Sequence, residues 1–163
     1  MSKDLPTCII RHQRENLKKC SLTGLEGRAD LIFFRYPDCV QGGGGLPDFS
    51  GNYVLLDIDG PPLSEEDSAS GLVIVDATWR LAAKIVANVT ALKGVPRRSL
   101  PAGYETAYPR RQNDCPDPRA GLASIEALFL AYHLLGRDVT GLLDRYYWKA
   151  AFLSRNTELG RQA

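Results

Sequence analysis

Leu72-Val73-Ile74-Val75 is an unbroken apolar run that ends on a carboxylate, Asp76, just ahead of a helical segment. Such a run is far too short to cross a membrane and shows no polar–apolar alternation. It suits a strand buried on both faces, which is the mark of a parallel sheet with helices packed on it. This single stretch commits the chain to an α/β arrangement, and the remaining segments agree.

Three further strands are expected. Thr7-Cys8-Ile9-Ile10-Arg11-His12 is the first. Leu31-Ile32-Phe33-Phe34-Arg35-Tyr36, closed by Pro37, is the second. Tyr53-Val54-Leu55-Leu56-Asp57-Ile58, ended by Gly60-Pro61-Pro62, is the third. Ser64 with Asp67 three residues on makes a capping-box start for a short helix stopped by Gly71. Residues 80–92 carry Leu81, Ile85 and Val89 on one helical face. A possible strand and a basic stretch, Pro96-Arg97-Arg98-Ser99, follow, then an irregular segment over 103–120. A helix over 125–135 ends at Gly136, and a last helix is expected over about 139–159. The glycine run at 42–45 is not followed by Gly-Lys-Ser/Thr, so residues 38–52 read as a surface loop and not as a phosphate cradle.

At 163 residues the chain has room for one domain. With 44% hydrophobic and 24% charged residues it resembles neither a disordered tail nor a coiled coil. The net charge of +1 excludes a protein that coats nucleic acid through bulk charge, so any RNA contact must come from local clusters. None of the four cysteines, Cys8, Cys20, Cys39 and Cys115, forms a C-x-x-C pair. Free thiols in a reducing compartment are expected, with no metal. The N-terminal stretch lacks the apolar core of a secretion signal, and no apolar run reaches the ~20 residues of a membrane span. A cytoplasmic protein is expected.

Ligands of an open α/β sheet bind beyond the carboxyl ends of the strands. Three loops qualify: Asp76-Ala77-Thr78-Trp79, Arg98-Ser99-Leu100-Pro101, and the segment from Thr106 to Ser124. Asp76 can serve a ligand, cap the following helix, or do both. Trp79 can meet an adenosine or fill space between helix and sheet. Arg11, Arg14, Lys18, Lys19 and Arg28 form one basic group and Arg97, Arg98, Arg110 and Arg111 another, with Tyr104 and Tyr108 interleaved. That mixture suits phosphate binding with base stacking, and it equally describes a solvated charged face. Neither histidine, His12 or His133, has a partner for hydrolytic chemistry, and there is no G-x-G-x-x-G or P-loop. A reaction that needs neither metal nor strong base fits better. S-adenosylmethionine brings its own activation as a sulfonium.

Several motifs then occur in a telling order. They are Arg14-Glu15-Asn16-Leu17-Lys18-Lys19-Cys20-Ser21, Leu63-Ser64-Glu65-Glu66-Asp67, Gly71 through Trp79, Arg98-Ser99-Leu100-Pro101, Leu122-Ala123-Ser124-Ile125-Glu126-Ala127, and Tyr147 through Asn156. Together they resemble the archaeal and eukaryotic ribosomal RNA aminocarboxypropyltransferases. The Asp-Ala-Thr-Trp element also resembles the DTW-domain enzymes that act on transfer RNA uridine.

The resemblance implies a SPOUT-like fold with a trefoil knot in the C-terminal half. Residues 1–60 would be its strand-rich, RNA-facing part and residues 61–163 its cofactor-binding part. It implies S-adenosylmethionine as donor of a 3-amino-3-carboxypropyl (acp) group. Ser21, Val75, Asp76, Thr78, Trp79, Leu100, Tyr108, Leu122, Ala123 and Ser124 would hold that donor, and Asp76 would be the catalytic group. The partner implied is RNA, small-subunit ribosomal RNA first and transfer RNA second, bound by a monomer. A methyltransferase with the same cofactor, and a non-catalytic RNA-binding module of ribosome assembly, remain the alternative functions. One stretch, Tyr108 to Cys115, departs from the ribosomal RNA family, and Thr106-Ala107-Tyr108 with Arg111 is nearer the DTW enzymes.

Overall fold

The computed structural model describes residues 4–18, 20–41, 45–109 and 121–160, and the chain divides into two compact units. The first comprises residues 1–61 and 69–99, and the second residues 62–68 and 100–163.

Among the described residues of the first unit, five strands form one sheet. They are β1 (Thr7–His12), β2 (Leu31–Tyr36), β3 (Tyr53–Leu56), β4 (Gly71–Asp76) and β5 (Arg97–Arg98). The order is β2-β1-β4-β3-β5, and every pairing is parallel. The expected mainly parallel sheet is therefore parallel throughout. β1 and β2 span the residues read from the sequence. β3 stops two residues short of expectation, where the Asp57 side chain turns back to accept from the Ile58 N–H. The expected possible strand is β5, two residues long, on the edge beside β3.

Burial explains the apolar run in β4. Leu72, Val73 and Ile74 are at most 5% exposed, as a strand paired on both sides and covered on both faces requires. On one face Cys8, Ile10, Val73, Tyr53 and Leu55 pack with Ile85 of α1 (Trp79–Asn88). Side chains alternate along a strand, so Ile9, Arg11, Ile74 and Asp76 take the opposite face. The helix expected to Leu92 ends at Asn88, and a 3₁₀ turn, Thr90–Leu92, completes the segment.

The second unit opens with a 3₁₀ turn at Glu65–Asp67, where Ser64 and Asp67 make the expected capping box. Its core is α2 (Ser124–Leu134), buried along Ile125, Leu128, Phe129 and Tyr132. Gly136, at φ +70°, ends α2, and the Arg137 N–H reaches back to the Tyr132 carbonyl.

The single helix expected over about 139–159 is corrected here. Residues 140–145 are turns, followed by α3 (Lys149–Arg155) and α4 (Thr157–Gly160). Gly141 takes φ +79°, outside helical space. Asn156 leaves the helix to bind the Glu105 main chain. The apolar residues keep their burial through tertiary packing: Leu142, Leu143 and Phe152 are buried, and Phe152 meets Phe129 edge to face. The helical period was real only for the last two turns.

Cys8, Cys20 and Cys39 are free, as expected, and all three are buried. Cys115 lies outside the described residues. Among those residues no helix is long and apolar enough to cross a membrane.

Candidate functional site

The strand order places the site. From β1 the chain moves to β2 on one flank, whereas from β4 it moves to β5 on the other. The carboxyl ends of neighbours β1 and β4 therefore open in opposite directions, and such a switch point leaves a crevice for ligands. Arg11 and Asp76 are register partners at those two ends.

A buried polar cluster fills this position. The Arg11 Nε donates to Asp76 Oδ2 at 3.1 Å, and its Nη1 donates to Glu26 Oε1 at 3.2 Å. The Cys20 thiol donates to the same Asp76 oxygen at 3.1 Å, with Arg11 Nη2 at 3.6 Å from its sulfur. The Arg11 guanidinium lies 4.6 Å from the Phe33 ring centre. Only 12% of the Arg11 side chain and 4% of the Asp76 side chain are exposed. Charges so placed need each other: the cost of desolvation is offset only by close pairing. Glu15, Cys20 and Asp76 bring one ligand atom each within 4.8 Å, and Arg11 supplies positive charge to that group.

The electrostatics follow. Burial pushes the Cys20 thiol up to about 12, helped by the charge of Asp76 and the hydrogen bond to it. Burial works to raise the Glu26 carboxyl as well. The N–H groups of Glu26 and Gly24, with Arg11, outweigh it and hold Glu26 below the usual range.

An unfolded Cys20 thiol titrates near 9.0 and the folded one near 12. The folded state keeps the proton between those values, so the stabilisation is complete below pH 9.0 and fades as pH rises toward 12. The urea midpoint should fall more steeply across that range in the wild type than in Cys20→Ala. Burial also raises Cys8 and Cys39, but both remain in each variant and drop out of the comparison. Parallel curves would show that Cys20 is not so held.

The sequence-expected residues of the first unit lie along this edge. Val75 and Asp76 end β4. Thr78, not Asp76, is the N-cap of α1, although its side chain makes no capping bond. Trp79 opens α1 at 40% exposure, with Arg80 5.9 Å from its ring centre, so it is not buried filler between helix and sheet. Ser21 follows Cys20 directly and is half-buried.

Of the expected RNA-contacting cations, Arg14 and Lys18 are exposed. Arg28 pairs with Asp30 through two bonds of 2.9 Å, and Arg97 pairs with Asp57 at 3.2 Å. Arg98 caps the Arg97 carbonyl. Arg11 spends its guanidinium on Asp76 and Glu26. Lys19, Arg110, Arg111 and residues 42–44 of the glycine run lie outside the described residues.

In the second unit, Leu100, Tyr108, Leu122 and Ser124 are half-buried and Ala123 is buried. What ties Thr106 and Ala107 to Ala123 is Glu126, a fully buried carboxylate. It accepts from the Thr106 hydroxyl at 2.6 Å, the Ala107 N–H at 2.8 Å and the Ala123 N–H at 2.7 Å. Sequence reasoning missed the roles of Cys20, Glu26 and Glu126. Glu126 carried a signal, since it stands three residues after the N-cap of α2, where a glutamate reaches back to the N-cap N–H. Cys20 and Glu26 carried none beyond their neighbours in sequence.

Among the described residues of the first unit, the chain is an all-parallel open α/β sheet with a buried charged cluster at its switch point, the position at which sheets of this class hold ligands. The fold is shared with a solved structure, that of the SAM-dependent rRNA:acp-transferase Tsr3 from Vulcanisaeta distributa. The two superpose with a TM-score of 0.69 at 21% identity, over 97% of this chain and 83% of that one. No protein-family profile and no curated protein sequence matches the chain.

Proposed function

We propose that this protein transfers the 3-amino-3-carboxypropyl group from S-adenosylmethionine to a ring nitrogen of uridine or pseudouridine in structured RNA, small-subunit ribosomal RNA first among candidates. The observation that supports the reading is the position of Asp76 and Trp79 at the β1–β4 switch point, on a fold shared with a SAM-dependent rRNA:acp-transferase. The knot expected from the sequence resemblance, a SPOUT-like assignment, a cytoplasmic location and a monomeric state belong to this proposal.

The residues present fit such a donor. Asp76 offers a carboxylate at the switch point as a proton acceptor, and Trp79 offers a partly exposed aromatic face at the first turn of α1 for the adenosine. S-adenosylmethionine supplies an electrophilic carbon next to its sulfur, so the activation comes from the donor and no metal is called for.

The chain then supplies alignment. A nitrogen–carbon bond forms to the RNA base while the carbon–sulfur bond breaks, and methylthioadenosine leaves with the electron pair. Asp76 takes the proton that the base nitrogen gives up. Holding nucleophile and carbon in line is worth much of the barrier, with effective molarities on the order of 10⁵ M or more in good cases. Exposed Arg14 and Lys18 suit the RNA backbone as phosphate contacts.

The test is calorimetric titration with S-adenosylmethionine. Wild type should bind in the micromolar range, and Trp79→Ala should weaken binding by roughly 10- to 100-fold, as loss of base–aromatic stacking does. A folded wild-type protein that gives no binding would remove the transferase reading. Product mass on RNA then separates acp transfer from methyl transfer.

A further inference from the structure

Helix α1 turns one regular face to solvent. Arg80, Ala83, Lys84, Ala87 and Asn88 are exposed, whereas Ile85 on the other side is buried. The exposed positions recur at intervals of three and four, so they make a single stripe along the helix. The charged side chains of α1 are Arg80 and Lys84, one turn apart, and the helix carries no carboxylate. Among the described residues neither cation forms an ion pair. Arg80 instead lies 5.9 Å from the ring centre of Trp79.

The stability of the helix does not account for this pattern. A helix favours acidic groups in its first turn and basic groups in its last. In α1 the first turn holds Arg80 and no acid, and the last turn holds no base. Like charges four residues apart also repel. Two cations kept at a cost to their own helix suit an anion from outside. Ala83 and Ala87 keep the stripe shallow, so that a backbone can approach it.

The other cations of the first unit narrow the choice. Arg11, Arg28 and Arg97, expected as RNA contacts, are held by carboxylates. Arg80 and Lys84 belong to neither basic group read from the sequence, yet their charges are not so engaged. They stand on the helix that starts three residues after Asp76.

We propose that the exposed stripe of α1 is an RNA-docking surface on which Arg80 and Lys84 each hold one backbone phosphate, so that the strand follows the helix toward Trp79 and the end of β4. This rests on the reading that RNA is the substrate. Contacts of this kind carry no base sequence; they set affinity and register. Each phosphate they neutralise releases condensed counterions, a gain that a polymer of charges offers.

The salt dependence of RNA binding tests the surface. Anisotropy of a labelled RNA stem–loop with uridines in its loop, measured over about 50–200 mM KCl, reads the number of phosphates neutralised. Arg80→Ala and Lys84→Ala should each make the plot of log affinity against log salt shallower by about 1, and the double variant by about 2, with weaker binding at low salt. Alanine is the best helix former, so these variants are expected to fold. Arg35→Ala removes the same charge from edge strand β2, where Arg35 pairs with Asp38 at 3.5 Å, and should leave the slope unchanged.

A double variant with the wild-type slope would overturn the α1 surface and leave RNA as the substrate. An equal loss of slope in Arg35→Ala would overturn it too, since bulk charge and not this stripe would then be felt. A wild type that binds S-adenosylmethionine but not the RNA would overturn the surface together with the choice of substrate.

Discussion

Asp76→Asn is expected to lower acp transfer to RNA by about 10²- to 10⁴-fold, the usual worth of a positioned proton acceptor. Affinity for S-adenosylmethionine should change little, because the asparagine retains the shape of the side chain. The assay is single-turnover transfer at saturating donor, with donor affinity measured separately by calorimetry. Asparagine cannot answer the Arg11 charge as the carboxylate does, so the variant must be assayed well below its own unfolding transition. Wild-type turnover in a folded Asp76→Asn protein would remove Asp76 from proton transfer. A loss confined to donor affinity would make the residue a charge partner of the sulfonium instead.

The second large effect is on stability. Arg11→Met keeps most of the side-chain volume but leaves Asp76, with 4% of its side chain exposed, without the guanidinium that faces it. Breaking one side of a buried pair typically costs about 3–5 kcal/mol. The contact to Glu26 adds little to this, since 44% of that side chain is exposed. In a domain of this size such a loss lowers the melting temperature by roughly 10 °C. Removing both charges in Arg11→Met/Asp76→Leu should recover most of the stability, because the isolated charge is then gone. A double-mutant cycle on urea midpoints measures the coupling, and additive single effects would show that the pair does not bear on stability.

The parts of this fold that follow from local chemistry could be read in advance. β1 and β2 run over the expected residues because aromatic and β-branched residues gather there and turn formers bound them. β4 was legible because burial on both faces writes itself as an uninterrupted apolar run. α2 was misplaced by one residue at each end, within the ordinary play of helix boundaries. The C-terminal segment was misread because Leu142, Leu143 and Tyr146 keep helical spacing while Gly141 and Asn156 take the backbone elsewhere. Buried contacts, not helical geometry, preserve those apolar positions.

The site divides along the same line. Val75 through Trp79 are consecutive, and their place at the end of a buried strand can be argued from sequence alone. The guanidinium facing Asp76 could not be, since it depends on the register of β1 against β4. Arg11, expected on an RNA-facing surface, is drawn inward by that register. Glu126 lay between the two cases: its reach to Ala123 is local, but the bonds to Thr106 and Ala107 cross 20 and 19 residues.

The position of β4 has a consequence for how the chain acquires its native state. β1, β2 and β3 all precede β4 in sequence, yet β1 and β3 are not neighbours; β4 enters between them. During synthesis from the N-terminus, the middle of the sheet is missing until residue 71 and beyond have emerged, and two open strand edges wait for it. Arg11 must close a loop of 65 residues to find Asp76, and such non-local pairings slow folding. The strand that joins β1 to β3 also delivers Asp76 to Arg11 and Cys20. Until that six-residue strand docks, a partly made chain keeps the facing edges of β1 and β3 open and Arg11 without its buried carboxylate partner.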